Sequence, residues 1–126
     1  MEEQLFFEVE KVGDVAVVRL GPRLDIQTVP DVRRRIKRVI DSGDKVIVID
    51  MRRIEYISSF GLSMLLTLAK ELSNRGGNLF LAQPRETARE LLQLTRLQTI
   101  LPTYDTLREA IDAAADAAGA PPREGS

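Results

Sequence analysis

The chain has 126 residues, 18 Lys and Arg against 19 Asp and Glu, and neither Cys nor His. This length suits one domain with its own hydrophobic core. Without Cys and His, disulfides, thiolate or imidazole metal sites, and Ser-His-Asp or Cys-His catalysis are excluded. The net charge of −1 gives no long-range attraction to nucleic acid or to an anionic membrane.

The first two predicted elements are strands over residues 5–10 and 15–20, joined by a turn at Gly13-Asp14. A Gly-Asp pair between two apolar runs is typical of a hairpin, so we expect antiparallel pairing. The edge of this hairpin offers a route to a homodimer. The acidic start lacks a signal-peptide pattern, and no run is long enough to span a membrane, so we expect a cytoplasmic protein.

The next predicted element is a helix that begins near Pro30. Its apolar positions share one helical face and are Val29, Val32, Ile36, Val39 and Ile40. Its other positions are basic and are Arg33, Arg34, Arg35, Lys37 and Arg38. We interpret the basic cluster as a solvated helix face, with contact to an acidic partner as the alternative.

Strands and helices then alternate along the chain. An apolar strand buried on both faces is predicted over 45–50, a helix over 59–74, a strand over 79–82 and a helix over 86–95. A short strand over 99–102 and a helix over 105–118 complete the pattern, and 119–126 has the composition of a disordered tail. This order predicts one α/β domain over 1–118, with a mixed sheet of about five strands and helices mainly on one face.

The predicted helix over 59–74 starts at Ser58-Ser59-Phe60-Gly61. A helix N-terminus has free amide groups and a positive dipole end, so a phosphate on either serine would be stabilised there. The alternative is that one serine only caps the helix. Phe60 differs in phase from the apolar stripe, so it either packs inward or is presented to a partner.

These features resemble the STAS domain of bacterial anti-sigma factor antagonists over nearly the whole chain. The resemblance is carried by Leu24-Asp25 after the second strand, by Ile49-Asp50, and by the stretch from Ser58 to Leu62, which is similar to the family's Asp-Ser-Ser-Gly-Leu phosphorylation motif. When the Gly-Leu pairs are aligned, Ser59 takes the place of the phosphorylated serine. Ser58 then stands where many members have Asp, and Phe60 where they have a small residue.

The resemblance implies a protein that binds an anti-sigma factor with serine-kinase activity and so releases a sigma factor. The partner would bring ATP and Mg²⁺, while this chain would be no enzyme and would need no cofactor, metal or direct contact with nucleic acid. Ser59 is the expected phosphorylation site. The expected partner-binding residues are Asp25, Ser58, Phe60, Gly61, Ser63 and Met64.

Three alternatives stay open at this point. The chain could be a STAS module of a stress-signalling scaffold or of a transporter complex. Asp25 could be a simple turn residue, while Asp50 is expected to end its strand and bond loop amides. From a different class, Asp25 and Asp50 could hold Mg²⁺ as in a phospho-receiver, although no further acid pair or phosphate-binding loop accompanies them.

Overall fold

The structure is a computed structural model that describes residues 4–119. It opens with the predicted hairpin, in which β1 (Phe6–Val12) and β2 (Val15–Gly21) pair antiparallel. Gly13 has a φ of +60° in the two-residue turn between them, a conformation that glycine adopts without a steric penalty.

The main sheet has five strands in the order β1-β2-β4-β6-β7. The later strands are β4 (Val46–Asp50), β6 (Asn78–Ala82) and β7 (Thr103–Tyr104). They run parallel to β2, so only the β1 pairing is antiparallel and the predicted mixed sheet is confirmed. Parallel strands place their carboxyl ends on one edge, where the chain exits from β2, β4 and β6.

Two further strands form a small parallel sheet above that edge. The sequence patterns did not predict them. They are β3 (Arg23–Leu24) and β5 (Tyr56–Ile57), in segments predicted as loops. Two residues are too short for any periodicity to appear, so only the tertiary structure reveals the pairing. The ladder fixes the loop after β2 against the segment that leads into the next helix.

Three helices cover one face of the main sheet: α1 (Val29–Asp41), α2 (Ser59–Asn74) and α3 (Glu86–Leu94). The last helix, α4 (Leu107–Gly119), alone covers the other face. The prediction of helices mainly on one face is therefore confirmed. The α4 helix also explains why all five residues of β4 are buried, as its continuous apolar run indicated.

The end of the domain differs from prediction. The expected strand over 99–102 is wrong: Leu97–Thr99 is a short 3₁₀ helix, and the strand β7 follows Pro102. Arg96 has a φ of +57° and turns the chain away from α3. Gly119 of the predicted tail is the last residue of α4, and the rest of that tail lies outside the described residues. Within 4–119, no helix is both long enough and apolar enough to cross a membrane.

Candidate functional site at the start of α2

The two serines at the start of α2 have different surroundings. Ser58 is the N-cap, with an extended backbone, and its Oγ accepts a hydrogen bond from Gly61 N at 3.4 Å. Ser59 is the first helical residue and is exposed. Its hydroxyl makes no hydrogen bond with any residue of 4–119. One serine therefore caps the helix, and the other presents a free hydroxyl at the positive end of the helix dipole.

The first turn of α2 packs closely against β3. Ser58 N donates to Leu24 O at 3.0 Å, and a Cβ added to Gly61 would lie 2.6 Å from the same oxygen. Any side chain at Gly61 would therefore push the helix away from Leu24. Close packing at this glycine fixes where Ser59 emerges.

Two of the expected partner-binding residues lie beneath the surface. Gly61 is buried against β3, and the Met64 side chain is only 5% exposed within the main core. The α2 helix turns both of them toward the sheet, so their direct contact with a partner stays a prediction, and the residues that the helix exposes at this end are their neighbours Phe60 and Ser63.

Phe60 faces outward, which excludes the alternative that it packs inward as part of the core. Its side chain is 55% exposed, and Ser63 is exposed about one turn further along α2. An exposed aromatic ring next to a free hydroxyl is a feature of docking sites, since aromatic anchors dominate many interfaces.

Two other exposed apolar residues lie on or next to the β3–β5 ladder that packs against the start of α2. They are not among the partner-binding residues predicted from the sequence. Tyr56 on β5 is 43% exposed, and Ile26, two residues after β3, is 60% exposed. The Arg23 guanidinium lies 4.6 Å from the centre of the Tyr56 ring, a cation–π contact. Alternation around the buried Ile57 was the available signal for Tyr56, since neighbours on a strand face opposite sides. We call Ile26, Tyr56, Ser59, Phe60 and Ser63 the α2-start surface.

Asp25 acts as the turn residue of the loop before α1. One carboxylate oxygen accepts from Gln27 N at 3.0 Å and Thr28 N at 3.2 Å, and the other accepts from Arg23 Nε at 3.0 Å. Burial opposes ionisation, yet these hydrogen bonds and the Arg23 charge hold the pKa of Asp25 below its usual range. The carboxylate is therefore occupied within the chain, which fits the turn alternative.

Asp50 is the buried centre of an ion cluster at the end of β4. Its carboxylate accepts from Arg52 N at 3.1 Å and Arg52 Nη2 at 2.7 Å, and Arg19 Nε lies 3.2 Å away. Burial by itself would raise the pKa of Asp50, but the Arg52 hydrogen bonds and the two positive charges lower it. The bond to the Arg52 amide is the loop contact expected for Asp50.

An arginine side chain pairs with each of the two carboxylates that were considered as Mg²⁺ ligands. Asp25 is bonded by Arg23 and Asp50 by Arg52, so neither offers free oxygens for Mg²⁺. In the span 4–119, no group of three or more acidic residues is arranged to hold a metal ion.

The family model of the STAS domain matches residues 6–110, which is most of the chain. The chain belongs to the STAS domain family.

Proteins similar to this chain include anti-sigma factor antagonists. A putative anti-sigma factor antagonist of Thermotoga maritima is 28% identical over 107 residues, covering 84% of this chain and 95% of the relative. An anti-sigma factor antagonist structure from Mycobacterium paratuberculosis has a TM-score of 0.82 at 26% identity, covering 90% and 96% of the two chains. The Bacillus cell fate determinant SpoIIAA in its phosphorylated form has a TM-score of 0.67 at 29% identity, covering 86% and 98%.

In this STAS domain the residues at the candidate site fall into three groups, according to whether they bond the backbone, are buried or face outward. Asp25 and Ser58 bond their own backbone, Gly61 and Met64 are buried, and the α2-start surface faces outward. The outward set combines apolar side chains with hydroxyls, which suits protein binding and leaves a nucleophilic oxygen accessible to a modifying enzyme.

Proposed function

We propose that this STAS domain is an anti-sigma factor antagonist that binds an anti-sigma factor through the α2-start surface and thereby releases a sigma factor. The names of its relatives support this class of function. The surface supports it as well, because exposed apolar residues cluster where β3, β5 and α2 meet. The protein would act in the cytoplasm, where sigma factors meet RNA polymerase.

We further propose that Ser59 is phosphorylated by the partner, acting as a serine kinase. The observation that carries this proposal is that the two serines at the helix start differ. Ser58 caps α2, so the exposed Ser59 hydroxyl is free to react. The similarity to SpoIIAA, which has been solved in a phosphorylated form, supports regulation of this chain by phosphorylation. The partner would supply ATP and Mg²⁺, and this chain would supply only the hydroxyl and the docking surface.

The physical effect of the phosphate differs between the free and bound protein. A phosphate adds about −1.5 to −2 charges. In the free protein the amides and dipole at the start of α2 stabilise this charge, by about 0.3–1 kcal/mol per unit charge at an exposed helix end. In the complex the charge would lose water beside the apolar Phe60 ring, which is costly. Phosphorylation therefore favours the free protein without refolding it.

The test measures binding to the cognate anti-sigma factor by calorimetry. Ser59→Ala should bind like the wild type and accept no phosphate when ATP and Mg²⁺ are added. Ser59→Asp should bind at least about tenfold more weakly, the equivalent of roughly 1.4 kcal/mol. Ser73→Asp is the matched control, since it adds the same charge to the exposed end of the same helix and should leave binding unchanged.

Two results would contradict the proposal. Mass spectrometry that finds the phosphate on Ser63 and not on Ser59 would remove the proposed switch. Recovery of scaffold or transporter subunits, with no anti-sigma factor, in a pull-down from native cells would favour a STAS module of another assembly.

A further inference from the structure

The outward face of α1 carries the densest charge in the molecule. Five of the chain's 18 basic residues lie within the six positions from Arg33 to Arg38. The helix contains only two acidic residues, Asp31 and Asp41, while the chain as a whole has a net charge of −1. The positive charge is therefore concentrated on one helix of a slightly acidic protein.

Part of this charge is unbalanced. Asp31 bonds both Arg34 and Arg35, at 2.9 and 3.2 Å, and Lys37 pairs with Glu71 of α2 at 3.1 Å. The side chains of Arg33 and Arg38 are exposed and make no ion pair or hydrogen bond with any residue of the described range 4–119. Two guanidinium groups are thus available to an outside partner.

The arrangement is unfavourable for the helix itself. Arg33 and Lys37 are four residues apart, as are Arg34 and Arg38, and like charges at this spacing destabilise a helix by about 0.2–0.5 kcal/mol per pair. The buried side of α1 does not require these cations, because Val32, Ile36 and Ile40 supply its core contacts. For Arg33 and Arg38 this repulsion is not offset by an ion pair within residues 4–119, and a local cost of this kind is expected at functional surfaces.

Two open grooves flank the basic ridge. One, of about 390 Å³, is lined by Pro30, Arg33, Arg34, Lys37, Arg38 and Asp41. The other, of about 460 Å³, lies on the opposite flank, where the Arg35 guanidinium sits 5.5 Å from the Phe7 ring centre. Arg34 and Arg38 line both grooves. The first groove runs along α1 for about 17 Å, the reach of roughly five or six extended residues.

We propose that this face of α1 binds a carboxylate-rich segment of a partner protein. Arginine forks match carboxylates, and the narrow ridge suits a short acidic strand of chain. A membrane is disfavoured because the apolar side of α1 is buried in the core and cannot insert into lipid. Nucleic acid is disfavoured because only Arg33 and Arg38 on this face lack an ion pair within residues 4–119, whereas binding to a nucleic acid draws on many phosphate contacts. This second surface does not depend on Ser59.

The test is an NMR titration of the ¹⁵N-labelled full chain with hexaglutamate, with hexaglutamine as the uncharged control. Amide shifts should be confined to α1 and the groove residues, and should weaken as salt rises from 50 to 300 mM. The variant R33Q/R38Q breaks no ion pair of the described structure and should bind at least about fivefold more weakly. The matched control R96Q/R108Q removes two exposed charges elsewhere and should bind like the wild type.

Several outcomes would overturn the proposal. These are the absence of α1 shifts with hexaglutamate, equal affinity in R33Q/R38Q, or stronger binding of α1 to oligo-dT or to phosphatidylserine vesicles. Concentration-dependent self-association that R33Q/R38Q abolishes would identify a second copy as the occupant instead. Ser59→Ala and Ser59→Asp should bind hexaglutamate equally, so a failure of the Ser59 switch leaves this test intact.

Discussion

At the scale of single residues, Ser58 and Ser59 are adjacent, yet only the Ser58 side chain bonds a backbone amide of the helix. Its Oγ satisfies one of the orphan amides of α2, while the Ser59 oxygen faces solvent. The sequence offers both serines as caps of α2, and the backbone assigns the cap to Ser58, because Ser58 is extended and Ser59 is already helical.

Replacing these serines with alanine should therefore have unequal effects on stability. Ser58→Ala removes the cap and should lower the free energy of unfolding by about 0.5–1 kcal/mol, the low end for an N-cap since the bond is long. Ser59→Ala should change it by less than about 0.5 kcal/mol. Urea unfolding measures both, and equal losses would show that Ser58 is not the cap.

The ion cluster around Asp50 should make the free energy of unfolding fall in acid, while it should leave that free energy unchanged around neutral pH. The pKa of Asp50 lies below the unfolded value of 3.8, so its contribution is present above that value and is lost as pH falls through the lower folded value. With no His in the chain, we expect flat stability from pH 5 to 8 and a decline below about pH 4.

The variant Asp50→Asn tests this assignment by urea unfolding at pH 7 and pH 3. It should cost about 1–2 kcal/mol at pH 7, because Arg19 and Arg52 lose a buried partner. Its decline between pH 7 and pH 3 should also be smaller than that of the wild type. Asp31→Asn is the control at a half-exposed carboxylate that also pairs with two arginines, and a loss of similar size there would contradict the role of burial.

At the scale of elements, the short β3–β5 ladder determines how the site is built. It joins Leu24 to Ile57, and α2 then packs on Leu24 through Gly61. The sequence could not show this pairing because each strand has only two residues. The resemblance to a known family did group Asp25 with Ser58 among the expected partner-binding residues, although it did not reveal that Gly61 and Met64 are buried.

A methyl group at Gly61 should separate these elements. Gly61→Ala would set its Cβ against Leu24 O and should cost about 1–3 kcal/mol, as for other overpacked sites. Ser63→Ala, in the same helix but exposed, should be nearly neutral. Thermal unfolding measures the difference, and an unchanged melting temperature in Gly61→Ala would show that β3 and α2 separate easily.

At the scale of the whole molecule, α4 converts a two-layer arrangement into three layers. Its Ala110 and Ala114 are fully buried against a second apolar cluster that includes Val17, Val48 and Phe80. The small side chains allow α4 to approach the sheet closely. The far face of β4 is therefore dry, as its apolar run requires.

A charge placed under α4 should disrupt this layer. Ala114→Asp would bury an unpaired carboxylate and should cost at least about 3 kcal/mol. The neighbouring Ala115 is exposed, so Ala115→Asp should change stability by no more than about 0.5 kcal/mol. Differential scanning calorimetry of both variants checks the assignment, and similar melting temperatures would contradict it.

The sequence by itself determined the order of the helices and of the longer strands, the burial of β4 and the start of α2 at Ser59, because long periodic segments and cap residues act locally. Tertiary structure alone decided the rest. Whether Phe60 is buried, whether Asp25 is occupied, and which face α4 covers all depend on contacts between segments distant in the chain. The structure also decides which cations on the basic side of α1 lack a partner, because three of them form ion pairs with Asp31 and Glu71.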